Sequence, residues 1–180
     1  MKEVLANLQA VTADAQTSFG NLSAAQINWK PNAESWSVGQ CLEHLIKTNE
    51  LFFPEFDRIA AGARQNSFWE NWSPLSGFLG GFLIKSLQSD EKKFKAPSPA
   101  IVPPSNIAAD IVAQFARHQD AAAEKIRAME KVDITKVKVT SPLMKLMTYT
   151  LSDALTIIIA HEQRHIRQAK RVMETEGFPR

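Results

Sequence analysis

The chain has 180 residues, with 21 lysines and arginines against 19 aspartates and glutamates, 44% hydrophobic residues and 22% charged ones. That composition excludes a wholly disordered chain, and a domain of this size buries roughly two-thirds of its unfolded surface without needing a disulfide or a structural metal. One cysteine, Cys41, excludes a disulfide framework and any multi-cysteine zinc or iron–sulfur site.

Val4, Leu5, Leu8, Val11, Ala15, Phe19 and Leu22 recur at three- and four-residue steps and predict an amphipathic first helix from Met1 to about Leu22. Asn28 to Glu34, with Trp29, Pro31 and Asn32, reads as a connector. Ser37 and Gln40 form a capping box that opens a second helix. Its stripe is Val38, Leu42, Leu45, Phe52 and Phe56, Pro54 predicts a kink, and Gly62 marks its end. Residues from about 63 to 105 are poorly periodic, holding Trp69, Trp72, Pro74, the apolar FLGGFLI of Phe78–Ile84 and four prolines between 97 and 104. A short helix near Leu75–Ser86 and a proline-stiffened return are predicted there, the apolar run either capping the core or walling a pocket.

Ser105 or Asn106 is the predicted cap of a third helix reaching about Met129, with Ile107, Ile111, Phe115, His118, Ala122 and Ile126 on one stripe. Lys131–Pro142 is a second connector whose alternating Val132, Ile134, Val137 and Val139 suit a short extended piece. The fourth helix runs from about Ser152 to Glu176, favoured by Asp153 at its start and ended by Gly177 and Pro179. Strand signals are too few for a sheet. The expected fold class is all-α, a four-helix bundle with long connections, in one domain over 1–180 with an irregular insertion at about 63–105.

Basic residues are scattered, and the densest clusters are Lys92, Lys93 and Lys95, and Arg164, Arg167, Lys170 and Arg171. The second offsets a helix C-terminal dipole, and with a single tyrosine there is no stacking platform, which argues against nucleic acid. No run approaches the roughly 20 apolar residues of a transmembrane helix. The polar start lacks the apolar centre of a signal peptide, so a soluble cytoplasmic protein is expected.

Chemistry concentrates in the histidines. His161 and His165 are four apart, so both imidazoles share one helix face. They fall in the series Ala154, Ile158, His161, His165, Gln168 and Val172, whose steps of four and three are those of a bundle seam. Two imidazoles at core positions need partners, and a divalent cation satisfies both. His44 is the candidate third ligand, on the stripe Cys41, His44, Thr48 and Leu51 at the edge of the second helix's apolar face. Three neutral imidazoles would leave open coordination positions, the pattern of a catalytic site. Such ligands suit zinc or nickel first, and also iron, manganese or cobalt. His118 is expected on the helix surface or in a supporting role near the site, and Cys41 as a small core thiol. Glu162 lies about 100° around the helix from His161. It reads either as a carboxylate that pairs with a neighbouring arginine such as Arg58 or Arg127 or lies at the interface edge, or as a catalytic base or supporting partner near water on the ion. His-Glu-x-x-His also fits the zincin pattern, but no histidine follows His165.

WSVGQCLEHL at Trp36–Leu45 and HEQRHIRQ at His161–Gln168 resemble the two signature segments of the DinB/YfiT-like superfamily of metal-binding four-helix bundles. The resemblance spans nearly the whole chain. It implies His44, His161 and His165 as ligands of a divalent ion, with Trp36 and Ser37 as the structural lead-in to the second helix. It further implies a metal-dependent enzyme acting on a small molecule, either a hydrolase or a transferase using a low-molecular-weight thiol cosubstrate, and often a homodimer. A non-catalytic, metal-stabilised stress-response or binding protein is the alternative.

Overall fold

Four long helices carry the architecture, and a computed structural model describes them within residues 1–62, 70, 76–88, 99–144 and 146–180. Helix α1 (Lys2–Phe19) buries Leu8, Val11, Ala15 and Phe19, the predicted stripe. The short α2 (Ala24–Asn28), which the periodicity leaves unassigned, is set by a capping box between Ser23 and Gln26. Helix α3 (Val38–Glu50) begins at the predicted Ser37–Gln40 box. The predicted kink is a break: α3 stops before Leu51, and α4 (Phe53–Ala60) takes Pro54 into its first turn. There the missing N–H costs no helical bond.

Within the long insertion, α5 (Ser76–Gln88) matches the predicted short helix, and Pro99–Ile101 form a single 3-10 turn. Trp69, Trp72, Pro74, Pro97 and the Lys92, Lys93 and Lys95 cluster lie outside the described residues. Helix α6 (Ile111–Ala128) starts later than its predicted cap at Ser105 or Asn106. Asn28 explains the delay. Its side chain accepts from Ile107 N at 2.7 Å and donates to Ile107 O at 2.9 Å, holding Ile107 buried in a non-helical segment before the helix. The second connector forms more sheet than predicted: β1 (Lys138–Thr140) pairs antiparallel with β2 (Thr148–Thr150), Val139 opposite Tyr149. Thr150 and Asp153 then make the capping box of α7 (Leu151–Glu174), and Gly177 turns the chain away at a φ of 87°.

Helices α3 and α7 are neighbours. Helix α3 also packs against α6, and α1 packs against both α6 and α7, while α5 lies along α7 and β2. The chain is thus an all-α bundle with one small hairpin. Its core is in two parts. One gathers Val11, Phe19, Leu42, Leu45, Phe115 and Ile166, the other Leu8, Phe56, Ile126, Leu151 and Leu155. Between them lies a layer of buried polar side chains, Thr48 and Asn49 of α3, His118 and Gln119 of α6, and Glu162 of α7. The candidate site sits at this level.

Gly39 shows how tightly the lead-in to α3 is packed. A Cβ there would lie 2.8 Å from Ile27 Cγ2 and 3.0 Å from the Ile107 side chain. Overpacking of this kind costs about 1–3 kcal/mol, against a helix-propensity gain of about 1. Gly39→Ala is therefore expected to lower the urea-unfolding free energy by about 1–2 kcal/mol; unchanged stability would mean that Ile27 and Ile107 have room to retreat.

Candidate metal centre

The three histidines predicted from spacing come together. Their side chains each offer a ring nitrogen, and these nitrogens lie within 4.8 Å of one another. His44 reaches in from α3, His161 and His165 from α7. Trp36, just before the α3 cap, covers the group, its ring centroid 4.7 Å from that of His44 and 5.7 Å from that of His165.

Hydrogen bonding sets the His44 tautomer. Its Nδ1 lies 2.7 Å from the Ile101 carbonyl oxygen. A carbonyl only accepts, so Nδ1 carries the proton and Nε2 presents a lone pair. That lone pair faces His161 Nε2 at 3.3 Å. Two nitrogens bound to one tetrahedral ion at about 2.0–2.1 Å each are separated by about 3.3–3.4 Å, so this spacing fits a shared cation. His165 Nδ1 is buried with no hydrogen-bond partner among the described residues, while Gln168 hydrogen-bonds the same ring. The His165 ring centroid lies 4.7 Å from that of His44 and 4.6 Å from that of His161, which brings a third imidazole to the same ion.

The electrostatics keep these rings neutral. Burial lowers the pKa of His44, takes His161 down to about 3 and holds His165 well below its ordinary value. For His161 and His165, repulsion from neighbouring imidazoles and from Arg164 adds to the effect. Metal ligation requires the neutral imidazole, so at neutral pH no proton competes for these nitrogens.

Glu162 takes neither the arginine-paired nor the interface-edge setting. It is fully buried, at 0% exposure, in the bundle interior, whereas His161 is only half-buried at a cavity wall. The seam through the α7 core is Leu151, Leu155, Glu162, Ile166 and Ala169, with the histidine pair flanking it. Among the described residues no arginine pairs with Glu162 in the way the sequence suggests, and Arg58 pairs with Glu55. Asn49 Nδ2 donates to one carboxylate oxygen at 2.7 Å and Gln119 Nε2 to the other at 3.1 Å. Burial pushes the carboxyl up to about 7 despite these donors. The zincin geometry, with the glutamate turned to the ion's side, is not formed. Sequence reasoning missed Asn49 and Gln119. Both sit on the apolar stripes of their helices, Asn49 between Leu45 and Phe52 and Gln119 between Phe115 and Ala122, and polar residues at those positions were the signal.

Two further predicted side chains are resolved. Cys41 is a fully buried core thiol whose pKa burial raises to about 12, so it stays protonated. His118 is buried rather than on the helix surface, its ring stacked on Phe53 at 5.1 Å and its Nε2 without a partner among the described residues. Lys125 Nζ also lies over the Phe53 ring, 5.2 Å from its centroid. Burial takes His118 down to about 4 from its ordinary 6.5. A histidine with a depressed folded pKa contributes stability above 6.5 that is lost as pH falls toward 4, because only the unfolded chain takes the proton. We expect His118→Leu to shed an acid-side loss of about 3 kcal/mol over that window, measured as urea-unfolding free energy at pH 7 and pH 4. Equal pH slopes in both proteins would show that His118 charges without penalty.

The three histidines open onto a cavity of about 1460 Å³. Leu83 and Leu87 of α5, Tyr149 of β2 and Ile157 and Ile158 of α7 line one side of it, and Arg164, Gln168 and Arg171 continue along α7 on the other. The apolar run of α5 therefore walls the pocket through Phe82 and Leu83 and, through Leu83 and Ile84, also packs on the core. The proline-rich return supplies Ile101, whose carbonyl holds His44, and Pro104, whose carbonyl accepts from Gln40 at 3.0 Å. Backbone carbonyls carry no residue-type signal, so this support is invisible in sequence.

Among the described residues, no helix is long and apolar enough to cross a membrane. No curated protein and no solved structure matches the chain. The family model described as DinB superfamily matches residues 7–169. That span reaches into all four bundle helices and takes in each of the clustered histidines, and the chain belongs to the DinB superfamily.

Proposed function

We propose that the protein binds one divalent metal ion through His44, His161 and His165 and uses it to act on a small molecule, by hydrolysis or by transfer of a low-molecular-weight thiol. The observation that carries this reading is the convergence of three neutral ring nitrogens within 4.8 Å at the wall of a cavity. An all-nitrogen ligand set suits zinc or nickel. When bound, such an ion supplies Lewis acidity to an oxygen or sulfur nucleophile.

The chain's own residues do the rest. Ile101 fixes the His44 ring through its carbonyl, and Trp36 closes one side of the histidine group against water. Glu162 acts as a positioning residue rather than as a base: both its oxygens accept from amides, and it is not part of the cavity wall. By holding Asn49 of α3 and Gln119 of α6 to α7, it sets the height of the histidine pair against His44. A non-catalytic, metal-stabilised protein would have a closed coordination shell and no cleft, so the cavity favours an enzyme.

Elemental analysis of the purified protein is the test, with His44→Ala and His161→Ala alongside. About one ion per chain is expected in the parent and less than a tenth of that in each variant. Metal content unchanged in both variants overturns the site. Thiols with electrophiles, and separately esters and amides, then discriminate the two chemistries by which set turns over.

A further inference from the structure

The cavity beside the histidines is unevenly lined. Helix α7 runs along it, and its lining residues pass from Ile157 and Ile158 through His161 and His165 to Gln168 and Arg171. Helix α5 lies along the first part of this run in the same direction. A Cβ on Gly80 would stand 2.8 Å from Asp153 Oδ2, and farther along α5 the Ser86 carbonyl accepts from Arg164 Nη1 at 3.2 Å. That pairing sets Leu83 near the level of Ile157 and Ile158, and Leu87 nearer to His161. Phe52, at the break between α3 and α4, and Met147, ahead of β2, complete an apolar limb. Its Ile157–Ile158 end lies about one helical turn, roughly 5 Å, along α7 from His161.

Polar groups in the limb are taken up by one another. The Tyr149 hydroxyl is hydrogen-bonded to Ser141, Ser141 Oγ accepts from Met144 N at 3.1 Å, and Asn49 Nδ2 donates to Glu162. Among the described residues, the charged side chains that line the cavity besides the histidines are Arg164 and Arg171, past His161 on α7, and Glu34, ahead of α3. None comes from α5, from the hairpin or from the turn of α7 before His161. An ionic group placed in the limb would lose its water and meet no counter-charge, whereas a hydrocarbon group gains by leaving water. Apolar surface continues to the mouth, where Phe82, Val102 and Met144 stay 57%, 47% and 36% exposed. Resting on the metal-site reading, we infer that the substrate carries an uncharged hydrocarbon group beside the atom that meets the ion, received between Phe52, Leu83, Leu87, Met147 and Ile158. Continuity marks the occupant as a substrate: the limb and the three imidazoles share one cavity, so a group seated in the limb holds its neighbouring atoms within reach of the ion.

The experiment titrates acetohydroxamate and hexanohydroxamate calorimetrically into protein whose metal content is measured before and after, with ethanol and hexan-1-ol as a pair that needs no ion. Each methylene fully buried is worth about fourfold in affinity, so four of them, even incompletely buried, should make hexanohydroxamate at least tenfold tighter than acetohydroxamate. Hexan-1-ol should exceed ethanol by a similar factor. A terminal ammonium, in 6-aminohexanohydroxamate, should erase the gain. Leu83→Gln should shrink the ratio between the two hydroxamates at least threefold and leave acetohydroxamate binding unchanged. Equal binding of the two hydroxamates to protein that keeps its ion overturns the inference, and a limb filled by a second copy of the chain would give that result. A gain that survives the ammonium tail, or that stays intact in Leu83→Gln, overturns it as well. The alkanol pair decides if the hydroxamates extract the ion, and the parent protein's series decides if the glutamine variant fails to fold. A chain-length gain among alkanols in protein shown to bind no metal upholds the inference and overturns the metal-site reading; a metal-loaded protein with no gain does the reverse.

Discussion

Glu162→Ala is expected to destabilise the protein by about 3–5 kcal/mol. Two terms add. The alanine strips both acceptors from Asn49 Nδ2 and Gln119 Nε2, which are buried at 1% and 2% exposure. A buried donor left unsatisfied costs about 1–3 kcal/mol, and truncation at a fully packed seam position adds a cavity. One term opposes them: the carboxyl is itself desolvated, as its pKa of about 7 shows, and removing it relieves that cost. Glu162→Gln should lose no more than about 1.5 kcal/mol. Asn49 Oδ1 and Gln119 Oε1 lack partners among the described residues, so rotating one amide presents an acceptor to the new Nε2 donor. Urea unfolding at neutral pH separates the two variants. Similar losses in both would mean that the carboxylate's negative charge, rather than its hydrogen-bond geometry, holds the layer together.

The two halves of this layer differed in how well they could be read from sequence. The histidine pair was legible because i and i+4 on a helix must share a face whatever surrounds it. His44 was legible because an imidazole bordering a stripe of core hydrophobes invites a partner. The reversal of Glu162 and His161 was not. Both lie within the arc that a bundle helix turns inward, and the choice of seam between positions one residue apart depends on the crossing of α3, α6 and α7. Only Asn49 and Gln119, polar residues interrupting two other stripes at matching height, pointed to the buried carboxylate.

The long helices follow from periodicity alone, and their caps were readable where a side chain does the capping, as Ser37 and Gln40 do. Helix α6 shows the converse. Its cap residue, Asp110, makes no side-chain cap bond. Its start is set instead by Asn28, 79 positions away from the Ile107 it holds. The β1–β2 hairpin escaped for a related reason. Three-residue strands are too short for alternation to register, and Tyr149 is buried at 1% exposure by packing on the helices as much as by pairing.

Removing the metal with a chelator is expected to lower the thermal midpoint by roughly 8–16 °C. The magnitude follows from linkage. An ion held at a thousandfold its dissociation constant adds about 4 kcal/mol, and a domain of this size shifts by about 2–4 °C per kcal/mol. The structural reason lies in the histidine group. His44 Nε2 and His161 Nε2 lie 3.3 Å apart and His165 Nδ1 has no partner among the described residues, so a bound cation would satisfy polar groups that the described fold leaves poorly paired. His165→Ala should melt near the chelated parent and be insensitive to chelator, because it loses the ion and its own orphaned nitrogen together. His44→Ala should melt lower still, since it also frees the Ile101 carbonyl in the turn that closes the cavity. Differential scanning calorimetry of the three proteins, each with and without chelator, reads all of this. A parent midpoint indifferent to chelator, with elemental analysis showing the ion gone, would mean that the rings satisfy one another and that the bundle holds them in place unaided.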